Sequence, residues 1–150
     1  MSFIEDVHTF LSEDEVLPEL LTGGIYSGAG DNGVREISRQ NTPAAFDVNK
    51  KIMPCALITS NTEIKSGPFS RSILTSFSIY FYQLTGFDVI EQAMARAYDL
   101  LHEQRIGENI WEITFSIAVE NQNDIALDCS LSSQRYIATR MRQGYEPGGS

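Results

Sequence analysis

The sequence contains few of the features that mark secreted, metal-binding or membrane proteins. Its two cysteines, Cys55 and Cys129, lie in apolar strand-like runs without C-x-x-C spacing or a neighbouring histidine, which favours buried free thiols. No apolar run approaches the roughly 20 residues that a membrane-spanning helix needs. The first residues, MSFIEDVHTF, are acidic where a signal peptide would be basic. These absences predict a protein that starts in the cytoplasm and does not enter a membrane.

Basic residues are also scarce. The chain has 11 Lys and Arg against 20 Asp and Glu, which gives a formal net charge of −9. A surface of this sign repels a phosphate backbone, so binding of DNA or RNA through a basic patch is disfavoured. The charge still allows a protein that DNA passes without binding. With 150 residues, 42% of them hydrophobic, the chain fits one domain with a buried core.

The motifs that could carry catalysis lack the surroundings they need. GAGDNG, residues 28–33, matches G-x-G-x-x-G, but only Ile25 and Tyr26 precede it where a dinucleotide site needs a buried strand, and no helix opens within it. His8 and His102 lie on predicted helices without a second metal ligand at i+4 or a nucleophile nearby. The sequence therefore predicts no catalytic residue, no cofactor and no metal site, and it favours a protein that is not an enzyme.

Hydrophobic periodicity predicts helices and strands in a mixed order. An N-terminal helix begins near Phe3, a short second helix ends at the glycine pair 23–24, and the strongest helical pattern runs from Phe87 to Leu101, with Gly107 ending it. Period-two patterns predict strands at about residues 52–59, 72–82, 110–120 and 134–142. In the third strand Trp111, Ile113, Phe115, Ile117 and Val119 are predicted to point inward.

These elements predict an α+β fold. The expected architecture is a two-layer sandwich, in which an antiparallel sheet of about four strands is covered on one face by the long helix and the N-terminal helix. A single domain is expected over residues 1–142, with a long loop at 27–51 and a flexible C-terminal tail at 143–150.

One face of the predicted strand at residues 72–82 is small and uncharged in its middle. The face that carries Phe77 and Phe81 is predicted to be core, while the other carries serines. With the outward positions of the third strand, the predicted helix-free surface consists of Ser72, Ser76, Ser78, Thr114 and Ser116. Because small side chains permit close approach, we expect this surface to meet a neighbouring subunit or to line a channel.

The stretch from 27 to 51 is rich in Gly, Asn, Asp, Ser and Pro. Loops of this length are uncommon inside a domain and tend to be functional or to be ordered by a partner, although a plain mobile surface loop is the alternative. The charged residues expected to dock another protein are Asp31, Arg35, Glu36, Arg39, Lys50 and Lys51.

The order of the elements resembles that of a known family. An N-terminal helix, Ile25-Tyr26-Ser27-Gly28, a long loop, PCALI at 54–58, SGPFSRSILTSFSIYFY at 66–82, the helix FDVIEQAMARAYDLL at 87–101 and a closing pair of strands succeed one another. This succession is similar to that of the tail-terminator, or tail-completion, proteins of long-tailed bacteriophages. The resemblance covers residues 1–142 and rests on pattern and size, so no residue is carried over as an identified contact.

The resemblance implies a structural virion protein. Members of the family form hexameric rings on the end of a completed tail tube, stop its polymerisation and join it to the head-completion proteins of the neck, while DNA passes through the lumen. The implied partners are further copies of the chain in a homo-hexamer, the tail tube protein and a neck protein, and the implied location is the tail or neck of the virion after assembly in the host cytoplasm. Three alternatives remain open: another neck ring protein such as a head-closure or adaptor protein, a small α+β enzyme or ligand-binding domain, and a structural adaptor outside phages.

Overall fold

The computed structural model of the chain describes residues 3–28, 33–60, 64–65, 72–106 and 111–141. The helices are α1 (Phe3–Ser12), α2 (Leu17–Leu20) and α3 (Asp88–Leu101), with one 3-10 turn at Pro43–Ala45. The strands are β1 (Ile25–Ser27), β2 (Cys55–Ser60), β3 (Ile64–Lys65), β4 (Ser72–Gln83), β5 (Gln104–Ile106), β6 (Trp111–Asp124) and β7 (Cys129–Met141). The predicted tail at 143–150 lies outside the described residues.

The strands form one mixed sheet in the order β1-β2-β4-β7-β6-β5, with β3 paired to β4. Strand β1 runs parallel to β2, and the other pairs are antiparallel. The prediction of about four antiparallel strands is therefore wrong, since the described residues form a sheet of seven strands. Strands β1, β3 and β5 escaped prediction because each has only two or three residues, too few for a period-two pattern.

The predicted two-layer sandwich is also wrong, because the sheet curls into a half-barrel. Helix α1 contacts both edge strands, β1 and β5, which a flat sheet of this width would hold far apart. His8 on α1 lies against the β1 edge, with its Nε2 2.7 Å from the Ile25 carbonyl oxygen. Long paired strands twist, and here the twisted sheet wraps around the helices instead of lying beneath them.

The main core lies on the side of the sheet that faces the helices, which we call the helix side. Aromatic rings cross three strands there: centroids are 5.4 Å apart for Phe77 and Tyr136 and 5.6 Å apart for Tyr136 and Phe115. Helix α1 adds Phe3, whose ring packs edge-on against Phe77 at 5.3 Å. The predicted core positions Phe77 and Phe81 are confirmed, and burial of each stabilises the fold by about 1.5–3 kcal/mol.

Two glutamines fix α3 on the sheet. Gln134 of β7 donates from Nε2 to the Met94 carbonyl oxygen at 2.9 Å and accepts the Tyr136 hydroxyl at 3.0 Å. Gln83, the last residue of β4, accepts the backbone N–H groups of residues 89–90 at 3.0 and 3.1 Å. These are amides of the first helical turn, which have no partner inside the helix. The side chains thus set both the position and the start of α3.

A β-bulge divides the apolar residues of β6 between the two sides of the sheet. The register with β7 shifts between Phe115 and Ile117, which leaves Ser116 as an extra residue. After the shift Ala118 packs on the core, while Ile117 and Val119 are 54% and 41% exposed. The predicted inward direction of Ile117 and Val119 is wrong, because one inserted residue reverses which side chains face inward.

A second apolar cluster lies on the outer side of the sheet, opposite the helices, near one end. Residues 33–54 cover side chains of β2, β4 and β7 there, and the buried members are Ile37, Ala45, Phe46, Ile52, Cys55, Leu57, Tyr82 and Cys129. The prediction of two buried free thiols is confirmed. Burial raises the pKa of Cys55 to about 12 and that of Cys129 to about 11, so both thiols stay protonated at neutral pH.

An ion pair joins the start of α2 to α3. The Asp14 carboxylate accepts two hydrogen bonds from Arg96, at 2.6 Å from Nη2 and 3.1 Å from Nε. The same carboxylate accepts the backbone N–H groups of Val16 and Leu17. The bond from Arg96 is the main cause that lowers the pKa of Asp14 to about 2, with the two amides adding to it. Asp14 therefore joins the start of α2 to α3.

Asp14→Asn is expected to lower the free energy of unfolding by about 1–2 kcal/mol at neutral pH, a value that allows for the partial exposure of Arg96. Since the folded pKa is about 2 and the ordinary pKa of an aspartate is 3.8, the stabilisation is complete above the ordinary value and is lost as the pH falls through the folded one. Urea unfolding of the two proteins over this pH range measures the difference, which should vanish at the acid end. The exposed neighbour provides the control Glu15→Gln, and an equal loss there would indicate a general charge effect.

Candidate functional site

Three surfaces carry the features of binding sites. The first is the outer side of β4, β7 and β6 beyond the second cluster, which we call the open sheet face. It comprises Ser76, Ser78, Tyr80, Thr114, Ile117, Val119, Ser133, Arg135 and Ile137, which stand in three rows across the strands. Ile117, Val119 and Arg135 are exposed within it. The face is therefore an apolar patch with hydroxyl groups and one positive charge.

The structure brings most of the predicted helix-free residues to this face. Thr114 is exposed and Ser76 is half-buried, while Ser78 is buried in the row between Thr59 and Arg135. Ser116 is exposed in the bulge. Ser72 is the first residue of β4 and pairs with Met141, and its side chain lies outside the described part. The predicted surface is thus open around Thr114 and Ser116 and closed at Ser78.

The charged residues predicted to dock a partner lie on the segment that covers the second cluster, except Asp31, which lies outside the described residues. Arg35 and Glu36 are exposed along a shallow cleft. Arg39 donates from Nε to the Lys50 carbonyl oxygen at 3.0 Å, and its guanidinium lies over the Phe46 ring at 4.9 Å. The segment is therefore anchored by its apolar side chains and presents its charges outward.

The second surface is the turn at residues 47–51, which we call the basic turn. The Asp47 carboxylate accepts the backbone N–H groups of Asn49 at 2.8 Å and Lys51 at 3.0 Å, and two backbone bonds between residues 47 and 50–51 close the turn. Val48 at its tip is 96% exposed, and Lys50 and Lys51 are exposed beside it. The hydrogen bonds hold the turn in a shape that displays an aliphatic side chain next to two positive charges.

The third surface is a groove between α3 and strands β6 and β7, which we call the helix groove. It has a volume of about 320 Å³ and is lined by Glu91, Met94, Ala95, Tyr98, Asp99, Phe115, Ala118, Glu120 and Gln134. Its floor is apolar, and its three carboxylates are exposed at the rim. Tyr98, 38% exposed, is held by edge contact with Phe115 and by stacking on His102 at 4.7 Å. The groove is thus a preformed acidic site with an aromatic floor.

His102 stabilises the wall of this groove. Strand β5 pairs with β6 only up to Ile113, and the next inward-facing residue, Phe115, donates its backbone N–H to Nδ1 of His102 at 3.0 Å. Since Nδ1 accepts, the ring proton of the neutral histidine lies on Nε2. The histidine thus extends the edge pairing of β6 with a side chain.

No group of three or more His, Cys, Asp or Glu side chains is placed to hold a metal ion within the part of the chain that the structure describes. None of the helices in that part is long and apolar enough to cross a membrane.

No protein-family model and no curated protein matches the chain. A solved structure that does match is a chain from the virion of a native gene transfer agent (GTA) particle. The two chains share a fold. The TM-score is 0.61, the match covers 93% of this chain and 95% of the virion chain, and the sequence identity is 14%. At this identity the likeness concerns the fold alone, but it extends over nearly the whole of both chains.

Sequence reasoning missed the helix groove and the tip of the basic turn. Tyr98 fits the apolar period of α3, which is typical of a buried position, yet it is 38% exposed in the groove. Val48 was one residue in a polar stretch. Its position between Asp47 and the two lysines could have indicated an exposed tip. A short polar turn has too few side chains to bury an aliphatic residue within it.

Proposed function

We propose that this chain is a structural protein of a phage-like virion, and that within it the chain serves as the tail terminator. In this role it forms a hexameric ring that caps the completed tail tube, stops tube polymerisation and offers the joining surface to the head. The shared fold with a gene transfer agent virion chain, over 93% of the present chain, is the observation that carries the proposal. The order of elements that resembles the tail-terminator family supports the finer assignment.

The negative net charge of the chain suits a ring with DNA passing through its lumen. A net charge of −9 gives a surface that repels phosphate groups, so a DNA duplex in the lumen would slide without lasting contacts. The candidate surfaces of the described residues also offer exposed apolar side chains and exposed charges, which are features of protein contacts. Both features favour a structural role over an enzymatic one.

We assign the open sheet face to the contact between neighbouring subunits. Ile117 and Val119 are 54% and 41% exposed there, and burial of the exposed part of each against protein would contribute about 1 kcal/mol. A lumen wall in contact with water and DNA would gain nothing from these side chains. Thr114 and Ser116, which are small and exposed, allow the neighbouring surface to approach closely.

The cleft beside Arg35 and Glu36 is the proposed docking surface for the tail tube or the neck. It lies on the covering segment and carries exposed charges of both signs. Such a surface sets partner choice and orientation more than affinity.

Imaging of the purified protein with tail tubes tests the function. The expected result is a sixfold ring at one end of each tube and arrested elongation when fresh tube protein is added. Uncapped elongation with binding to heads instead would indicate a head-closure or adaptor protein. A monomer that binds neither tubes nor heads would refute the virion role.

A further inference from the structure

The basic turn has an exposed apolar tip that its own chain does not cover. Val48 is 96% exposed although the turn is closed by four hydrogen bonds around Asp47. The lysines beside it form no ion pair with any described side chain. The chain has a net charge of −9, yet residues 33–54, which include the turn, carry four of its 11 basic residues: Arg35, Arg39, Lys50 and Lys51. The turn is therefore an apolar and basic projection on an acidic protein.

The helix groove has the complementary properties. Its rim carries Glu91, Asp99 and Glu120, and none of these forms an ion pair within the described part of the chain. The hydrogen bonds to Asp14, and to a smaller extent the charge of Asp99, raise the pKa of Arg96, whose guanidinium is bound by Asp14. The apolar floor includes the exposed part of Tyr98. An aliphatic side chain with adjacent lysines would fit both floor and rim.

The turn and the groove lie on opposite sides of the sheet. Phe46 and Ile52 at the ends of the basic turn pack on the outer side, in the second cluster. The groove lies under α3 on the helix side, against Phe115 and Ala118. One chain cannot fill its own groove, but a second copy placed head to tail can.

We propose that the basic turn of one subunit inserts into the helix groove of a second copy of this chain, with Val48 on the groove floor and Lys50 and Lys51 against the acidic rim. The contact is heterologous, because it joins two different surfaces of the same chain. Repeated around an axis, such a contact closes a ring. It deepens the proposed function, on which it rests, by naming the residues that join neighbouring subunits beside the open sheet face.

Cysteine cross-linking tests the contact directly. In the double variant Val48→Cys/Ala95→Cys, oxidation by diamide removes the two thiol hydrogens and forms one disulfide between neighbouring copies. We expect a ladder of covalent oligomers on a non-reducing gel, whereas either single variant has only one thiol in each contact and should stay monomeric. The natural cysteines are buried and do not contribute. Ile125 is 94% exposed at the β6–β7 turn, so Ile125→Cys/Ala95→Cys is the matched control and should give no ladder.

Charge exchange provides a second test of the same contact. Lys51→Glu and Glu91→Lys should each weaken self-association about tenfold, and the chain that carries both substitutions should recover most of the loss. Arg105→Glu changes the net charge as Lys51→Glu does, but Arg105 is exposed on β5, outside both the turn and the groove, so this variant should leave self-association unchanged.

Both tests are run on the protein alone and on the protein bound to tail tubes. A ladder without tube binding would support the contact and refute the tail-terminator function. Tube capping without a ladder, or an equal loss for Arg105→Glu, would refute the contact and leave the function standing.

Discussion

Deletion of residues 29–41 is expected to lower the free energy of unfolding by at least about 2–5 kcal/mol, the cost of removing one large side chain from a packed core. The deletion removes Ile37, which is 4% exposed, and opens the second cluster over Leu57 and Tyr82. It also removes the bond from the Val34 N–H to the Ser27 carbonyl oxygen that ties the segment to β1. Urea denaturation measures the loss as a shift of the midpoint.

Two smaller changes separate packing from docking in this segment. Ile37→Ala should cost about 2–4 kcal/mol, because the side chain is buried in a cluster that cannot collapse around the gap. Arg35→Ala with Glu36→Ala should leave the unfolding midpoint unchanged and weaken only binding to the tube or neck, since both side chains are exposed. A cooperative unfolding curve for the deletion with the wild-type midpoint would show that the segment is only a docking loop.

The periodic parts of the fold could be predicted from sequence. Helix α3 and strands β4 and β6 carry apolar residues at regular spacing over ten or more residues, and each was found near its observed place. The half-barrel could not be predicted, because it depends on α1 touching strands β1 and β5 at the two ends of the sheet. No local pattern reports a contact between elements so far apart in sequence.

The candidate site could also be predicted only where the sequence pattern is regular. The serine positions of β4 follow from alternation, and the structure places Ser76 and Ser78 on the outer side as expected from it. The bulge at Ser116 has no sequence signal, and it moves Ile117 and Val119 to the outer side, where they dominate the face. The packing of residues 33–54 on the sheet could not be predicted, because their buried residues, such as Ile37 and Phe46, have no regular spacing.

The double variant Ile117→Asp/Val119→Asp is expected to abolish ring formation while the subunit stays folded. Burial of the exposed part of each aliphatic side chain in the subunit contact contributes about 1 kcal/mol, and two buried carboxylates would add a desolvation cost of at least about 1 kcal/mol. Since about 1.4 kcal/mol corresponds to a factor of ten, association should weaken by at least about 100-fold. The side chains point away from the core at 54% and 41% exposure, so the unfolding midpoint should change little. Sedimentation and imaging of tube ends measure the assembly.

The double variant Val16→Asp/Ile125→Asp is the control. It also replaces one valine and one isoleucine by aspartate, but at positions outside the open sheet face that are 40% and 94% exposed. It adds the same charge to the same chain and should assemble as wild type does. The double variant Ser76→Arg/Ser116→Arg tests the open sheet face by bulk, because it places large side chains where small ones permit close contact. If both altered faces still gave rings on tube ends, the open sheet face would belong to the lumen and the subunit contact to the basic turn and helix groove. If the face variants and the Lys51→Glu variant each prevented rings, both the basic turn and the open sheet face would be needed for ring formation. Since both lie on the outer side of the sheet, they would then form one continuous subunit contact.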